Sequence, residues 1–329
     1  MHAAHEFDFS NGSVGNFFFA GARIFLNSLN AAIFLFSRVS GIARETEVLP
    51  ALRSETDKVV VLGAELADGA LVRGQNAISH PAEAPSSERG QPDASPTLVR
   101  KGTGGAWRPL PSPIRRVLYV APDARGACAA QRGASAVEVA PPVNPLVLRK
   151  LREADAIVFG CGSLYTSRPG VGAVGDEAEA PLSRYTSICA SLIVEGVGEA
   201  VAARRDAPKV LMLNASPDRE THRALRGDTV AERAAPMAAS DYVRAVARAL
   251  NREGSAGGSL AHPASAFVDV LLYPKGCEAA IPIDRDELTR LGVRAVAVDS
   301  TRDAQGRPLY DPQGVLAALS AVLADRRDE

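Results

Sequence analysis

ADAIVFGCGSLYTS, residues Ala154 to Ser167, runs a short apolar segment straight into a turn made of glycines and hydroxyl side chains. Ala156, Ile157, Val158 and Phe159 form the continuous apolar run expected of a parallel strand covered on both faces. Gly160 and Gly162 let the backbone bend and approach a ligand closely, while Ser163, Tyr165, Thr166 and Ser167 supply donors where the strand ends. In open α/β sheets ligands collect at the carboxyl ends of the strands, so this turn is a candidate phosphate site. A glycine-rich strand-to-helix turn without a ligand has the same spacing.

Working outward, strand-like and helix-like segments alternate. Arg116 to Ala121, Ala156 to Phe159, Lys209 to Asn214, Phe267 to Tyr273 and Val293 to Asp299 read as strands. Pro145 to Glu153, Pro181 to Val194, Ser240 to Glu253 and Val315 to Leu323 read as helices. That alternation predicts an α/β protein with a mostly parallel sheet wound on both faces. Val59 to Leu66, followed by Asp68-Gly69 and Leu71 to Gln75, predicts an antiparallel hairpin set off from the main sheet. Residues 80–113, 170–180 and 254–259 are rich in small, polar or turn-forming residues and are expected to be disordered insertions in a single domain spanning 1–329. Lys101-Gly102-Thr103-Gly104-Gly105 superficially suggests a phosphate loop, but no apolar strand precedes it and no helix pattern follows.

Near the amino end, Asn11 or Ser13 is placed to cap a helix predicted from Val14 to Ser37. Its apolar residues lie nearly all round it, which predicts a buried core helix; Asn16, Arg23, Asn27 and Asn30 interrupt it too often for a membrane span. The opening MHAAHEFDFSNGSVGN lacks the basic flank of a signal peptide.

With 329 residues, 46% hydrophobic composition and a formal net charge of -1, the chain can bury a real core and has no gross electrostatic preference for nucleic acid or anionic membrane. Aromatics make up only 5%, which argues against a base-stacking platform. Cys128, Cys161, Cys189 and Cys277 are too scattered for a metal knuckle and too few for a disulfide scaffold, so a reducing, cytoplasmic setting fits. Cys161 reads as a small filler in the turn, since no cationic neighbour that would lower its pKa is evident. The five histidines lack zinc-ligand spacing, and Ser163 sits in GCGS rather than a nucleophile elbow.

Several segments, taken in order, resemble the CofD/YvcK family, which contains 2-phospho-L-lactate transferase and the bacterial gluconeogenesis factor. ADAIVFGCGSLYTS is similar to that family's GPGSLYTS strand end, with Cys161 where proline is usual. FSNGSVGNFFFAG at Phe9 to Gly21, VLPA at Val48 to Ala51, AELADGALVRGQNAIS at Ala64 to Ser79 and Asn144-Pro145 match as well. Asn214, Ser240 to Val243 and Val268 to Val270 are weaker echoes, and the likeness leans toward the gluconeogenesis-factor branch.

The resemblance implies a Rossmann-like fold that binds a nucleotide diphosphate or nucleotide-sugar ligand. In the transferase branch it implies transfer of a phosphorylated hydroxyacid from a nucleotide diphosphate donor to an alcohol, assisted by Mg2+. In the YvcK-like branch it implies a non-catalytic, UDP-sugar-binding metabolic regulator. The family opens with a glycine-rich loop and an acidic segment that nothing before Asp8 supplies, so the chain is expected to be shortened at its amino end, or to be an inactive fragment. An organellar address lost with that segment stays open, as does homo-oligomerisation.

Two places survive as candidate phosphate contacts. Ser13, Gly15 and Asn16 stand at a helix start, where unpaired N–H groups and the helix dipole favour an anion; Ser13 as a plain cap is the alternative. Gly160, Gly162, Ser163, Tyr165 and Thr166 form the turn, with Asn144 and Asn214 at neighbouring strand ends to meet a ribose or base edge or to act as turn residues. Arg73, Arg168 and Arg219 are candidate phosphate clamps, and Asp8 is the nearest acid for a metal. The two bends are expected to converge on one pocket, and catalytic residues are unassigned.

Overall fold

The computed structural model describes residues 14–53, 60–75, 78, 110–121, 137–166, 188–218, 220–224, 234–255 and 258–325. Ser13, Asp8, Arg168, Arg219, Cys128, the 170–180 insertion and most of the 80–113 insertion lie outside them.

The centre of the fold is a four-stranded parallel sheet in the order β4 (Ile157–Phe159), β5 (Lys209–Met212), β8 (Val270–Pro274), β9 (Arg294–Val298). Register is continuous, with Val158 beside Val210, Leu211 beside Leu271, and Leu272 beside Val296. Alternate residues serve opposite faces, as the pleat requires. Val210, Val270, Leu272 and Val298 pack with Val322 of the last helix, α8 (Pro312–Asp325). Leu211, Leu271 and Tyr273 join the larger cluster on the other face, where α6 (Ala239–Asn251) supplies Val243, Val246 and Leu250. Helices therefore cover both faces, the arrangement that the alternating sequence predicts.

The cover is incomplete at β4. Val158 is 42% exposed, which corrects the expectation of a strand covered on both faces. β4 is an edge strand among the described residues, and α8 packs at the far side of the sheet against β9.

A second sheet is antiparallel, ordered β2 (Leu71–Arg73), β1 (Val61–Leu66), β3 (Ile114–Val120). The Asp68-Gly69 turn forms as the dipeptide dictates, with Gly69 at φ 81° and Asp68 Oδ1 accepting from Ala70 N at 3.0 Å. The Arg116 to Ala121 segment, expected within the parallel series, instead pairs antiparallel with β1.

The amino-terminal helix is also different from the expectation. Asn27 takes the left-handed conformation at φ 47° and splits it into α1 (Val14–Leu26) and α2 (Leu29–Val39), with Ser28 capping α2 through Ala31 N at 3.2 Å. The pair pack chiefly on each other, so Ile24, Phe25 and Phe34 stay exposed rather than buried in a core. Asn144 caps α3 (Pro145–Glu153). Two short helices follow β4, α4 (Ile188–Leu192) and α5 (Val197–Ala203), so the helix expected over Pro181 to Val194 is described only in its last turn and a half. Beyond α6 come α7 (Arg285–Arg290) and the β10 (Ser300–Arg302) and β11 (Pro308–Tyr310) hairpin, and a small ladder joins β6 (His222–Ala224) to β7 (Ala234–Pro236). Among the described residues no helix is long and apolar enough to cross a membrane.

Candidate functional site

The turn after β4 is tied down from beneath by a carboxylate that the sequence does not advertise. Glu220, only 2% exposed, accepts hydrogen bonds on the same oxygen, Oε1, from Ser163 Oγ at 2.8 Å and Thr166 Oγ1 at 2.6 Å. Asn214, just past β5, donates from Nδ2 to the Gly162 carbonyl at 2.9 Å. The Ser163 and Leu164 carbonyls accept from Ile188 N and Cys189 N at the start of α4. A loop fastened by five hydrogen bonds, at Gly162, Ser163, Leu164 and Thr166, is preorganised, whatever it binds.

These bonds decide which groups are left for a ligand. The Ser163 and Thr166 hydroxyl protons are already given to Glu220, so neither is offered to an anion. Among the described residues, however, no acceptor takes the backbone N–H groups of Cys161, Gly162 and Ser163. Three consecutive amides at the carboxyl end of a parallel strand make a suitable anion cradle. Gly160 has open space for 4 Å around its Cβ direction and no positive φ, so its glycine is required neither by sterics nor by backbone strain. The open space beside Gly160 lies one residue before those amides in the same turn.

The structure thus brings together Gly160, Gly162, Ser163, Thr166 and Asn214. Tyr165 faces the other way: it is fully buried, and burial, with a smaller opposing effect of the Arg248 guanidinium, raises its phenol pKa. Beside it the Cys189 thiol is pushed up to about 12 by burial, so it is inert. Cys161, by contrast, is exposed in the turn itself. Asn144 spends both ends of its amide inside the protein, Oδ1 accepting from Leu146 N and Nδ2 donating to the Pro50 carbonyl, each at 3.0 Å. It thereby fastens the Val48 to Ala51 segment to α3. Gly15 and Asn16 lie in the first turn of α1, whose substantial helix or strand neighbour is α2. Among the described residues nothing groups three or more His, Cys, Asp or Glu side chains as a metal site.

A family profile described as 2-phospho-L-lactate transferase CofD matches residues 2–169, from the first helix through the whole of the β4 turn. This chain belongs to the CofD family. Relatives within reach of the CofD chain include the uncharacterized protein YNL011C of Saccharomyces cerevisiae, 25% identical over 66% of this chain and 50% of its own length. A Nostoc sp. protein provisionally named gluconeogenesis factor is 24% identical over 93% of this chain and 49% of its own. The chain spans about half the length of these curated relatives. Among solved structures, protein BH3568 of Bacillus halodurans, of the UPF0052 family, superposes with a TM-score of 0.56 at 19–20% identity, covering 93% of this chain and 71% of that one. The likeness establishes a shared fold.

Two residues important to this geometry escape a sequence reading. Glu220 reaches the turn from more than fifty positions away and follows β5 in an ordinary polar run, with no local signal. Arg248 stands on the mostly buried α6, four residues before its C-cap Arg252, a faint signal that a basic pair faces something inside.

Proposed function

We propose that this CofD-family chain binds the diphosphate of a nucleotide-linked ligand on the Cys161, Gly162 and Ser163 amides, and that the ligand is the donor of a phosphorylated hydroxyacid. The observation that carries the reading is the cradle of three unclaimed N–H groups held rigid by Glu220 and Asn214 at the strand edge. In the reaction, the oxygen of an acceptor alcohol attacks the phosphorus that bears the hydroxyacid. The phosphoanhydride bond breaks, nucleoside monophosphate leaves with the bridging oxygen, and the alcohol's proton passes to solvent or a base. Amides directed at phosphate oxygens stabilise charge and fix the in-line geometry, which is most of what phosphoryl transfer asks of a protein.

Mg2+ would supply further charge neutralisation in such a reaction. The described residues fit it poorly: Glu220 is the carboxylate at the turn, and it is buried with one oxygen committed to two hydroxyls. Mg2+ needs near-octahedral oxygen ligation at an accessible carboxylate, so no step is derived through it.

A second reading is favoured by the Nostoc relative, whose match extends over 93% of this chain: binding of a UDP-sugar without turnover, in metabolic regulation. One experiment separates the two. The full chain is incubated with a donor in which phospholactate is joined by a phosphoanhydride bond to a nucleoside monophosphate, together with an alcohol acceptor, and nucleoside monophosphate is measured. Release supports the transferase. Saturable stabilisation by UDP-N-acetylglucosamine with no monophosphate release supports the regulator, and absence of binding by guanine or uracil nucleotides refutes both.

A further inference from the structure

Tyr165 lines a cavity of about 280 Å³ to which none of residues 160–164 contributes. β3 forms one wall and α6 the other, with residues 138–140 and the end of α4 closing it. Its apolar lining includes Val117, Val139, Ala245 and Ala249; the two alanines on α6 leave the room that larger side chains would fill.

The polar lining is unbalanced toward positive charge. Arg116 is accounted for, with Nε on Glu65 at 2.7 Å and NH1 on both oxygens of Glu138 at 3.1 Å. Arg115 also pairs with Glu65, and Ser255 takes up Glu138 Oε1 at 2.7 Å. Glu253 lies at the exposed mouth. Arg252, its side chain only 9% exposed, has long contacts to Glu195 at 3.9 Å and Glu199 at 3.5 Å. Arg248 makes no ion pair among the described residues and faces Tyr165. Arg248 also hydrogen-bonds the Tyr165 side chain, but among the described residues the Nε groups of both Arg248 and Arg252 are buried without an acceptor. Two Nε–H groups without partners among the described residues, on arginines that line one cavity with an apolar floor, are an unusual expense for a structure unless something anionic meets them.

We propose that this cavity is a second ligand site, for a small organic acid whose carboxylate or phosphate head sits between Arg248 and Arg252 and whose short apolar body lies along β3. A guanidinium fork recognises either head, and the volume admits a compact ring or branched chain rather than a nucleotide.

The test uses benzoate and phenyl phosphate as probes and benzamide as an uncharged molecule of the same shape. Each is titrated into the full chain by calorimetry, with thermal shift as a second readout. Expected is saturable binding of at least one acid, with benzamide weaker by about tenfold or more. The tighter acid identifies the head. Arg248→Gln keeps a hydrogen-bonding stem but removes the charge, and should weaken the acid by about tenfold. Ala140→Phe, at an exposed residue of the cavity lining, adds bulk there without removing a charge or a buried side chain, and should abolish binding even if Arg248→Gln fails to fold. Equal binding of benzamide, no binding of either acid at millimolar concentration, or acid binding unchanged in Ala140→Phe overturns the proposal.

Discussion

Glu220 makes a prediction that can be worked through quantitatively. Its Oε1 is the shared acceptor of Ser163 and Thr166 hydroxyls at 2.8 and 2.6 Å. Truncation by Glu220→Ala removes both bonds, but the two hydroxyls do not suffer equally. Ser163 is partly exposed and water can replace the carboxylate; Thr166 is 0% exposed and its hydroxyl is left stranded. A stranded buried hydroxyl costs about 1–3 kcal/mol. The lost charged bonds add to that, while release of the buried carboxylate from its desolvation offsets part, so the net loss should be about 2–3 kcal/mol. Thr166→Val removes the other partner and should cost about 1–2 kcal/mol. The double variant should then cost less than the sum of the singles by about 1–2 kcal/mol, because no hydroxyl remains to be stranded. Urea unfolding followed by circular dichroism at constant m-value gives all four stabilities. Strict additivity would refute the claim that Glu220 holds the turn through Thr166.

Three further outcomes follow from the same structure. Gly198→Ala should destabilise by about 2–4 kcal/mol in urea melts, because a Cβ there would sit 2.1 Å from the Leu250 carbonyl oxygen and force α5 off α6; Gly21→Ala, with nothing within 4 Å, should instead stabilise by up to about 1 kcal/mol. Gly160→Ala should melt like the wild type, since a Cβ there meets nothing within 4 Å, yet bind nucleotide diphosphates about tenfold more weakly by calorimetry if the ligand uses the space beside the turn. In the native protein at pH 8, Cys161 should be alkylated well before Cys189 and Cys277, whose thiols burial pushes up to about 12 and about 11; peptide mass spectrometry reads the order.

The parallel sheet was legible because its strands are short continuous apolar runs between helical segments, and Lys209–Met212 and Val270–Pro274 form where those runs lie. The hairpin was legible because Asp68-Gly69 fixes its own turn. The break at Asn27 was not, since Asn27 and Ser28 read as polar interruptions like Asn16 and Asn30, and apolar helix-forming residues continue on both sides of them. β10 and β11, three residues each, are too short to show a period, and their hairpin is anchored by a distant contact, the Tyr310 hydroxyl donating toward the Leu213 and Leu272 carbonyls. At the site, the residue types of the turn were readable but their directions were not. Hydroxyls beside glycines suggest donors to phosphate; only the position of Glu220 shows that those protons are spent inward, leaving the turn's backbone N–H groups as the donors without an acceptor among the described residues.

Residues 160–166 thus join the proposed amide site to the cavity, whose lining includes Tyr165 but none of residues 160–164. Cys161, Gly162 and Ser163 present their amides at the strand edge, while Tyr165 closes the arginine-lined cavity from behind. Between them, Thr166 and Ser163 share one carboxylate oxygen, so the segment cannot shift at one end without straining the bonds that fix the other. A ligand that moved Tyr165 would therefore alter the amide cradle, and by linkage a ligand on the cradle would alter the affinity of the cavity by the same factor. The size of that factor depends on how stiffly Glu220 holds the segment. Glu220→Gln, which keeps an acceptor oxygen but replaces charged hydrogen bonds with neutral ones, should loosen the segment and reduce the coupling before it abolishes binding at either side.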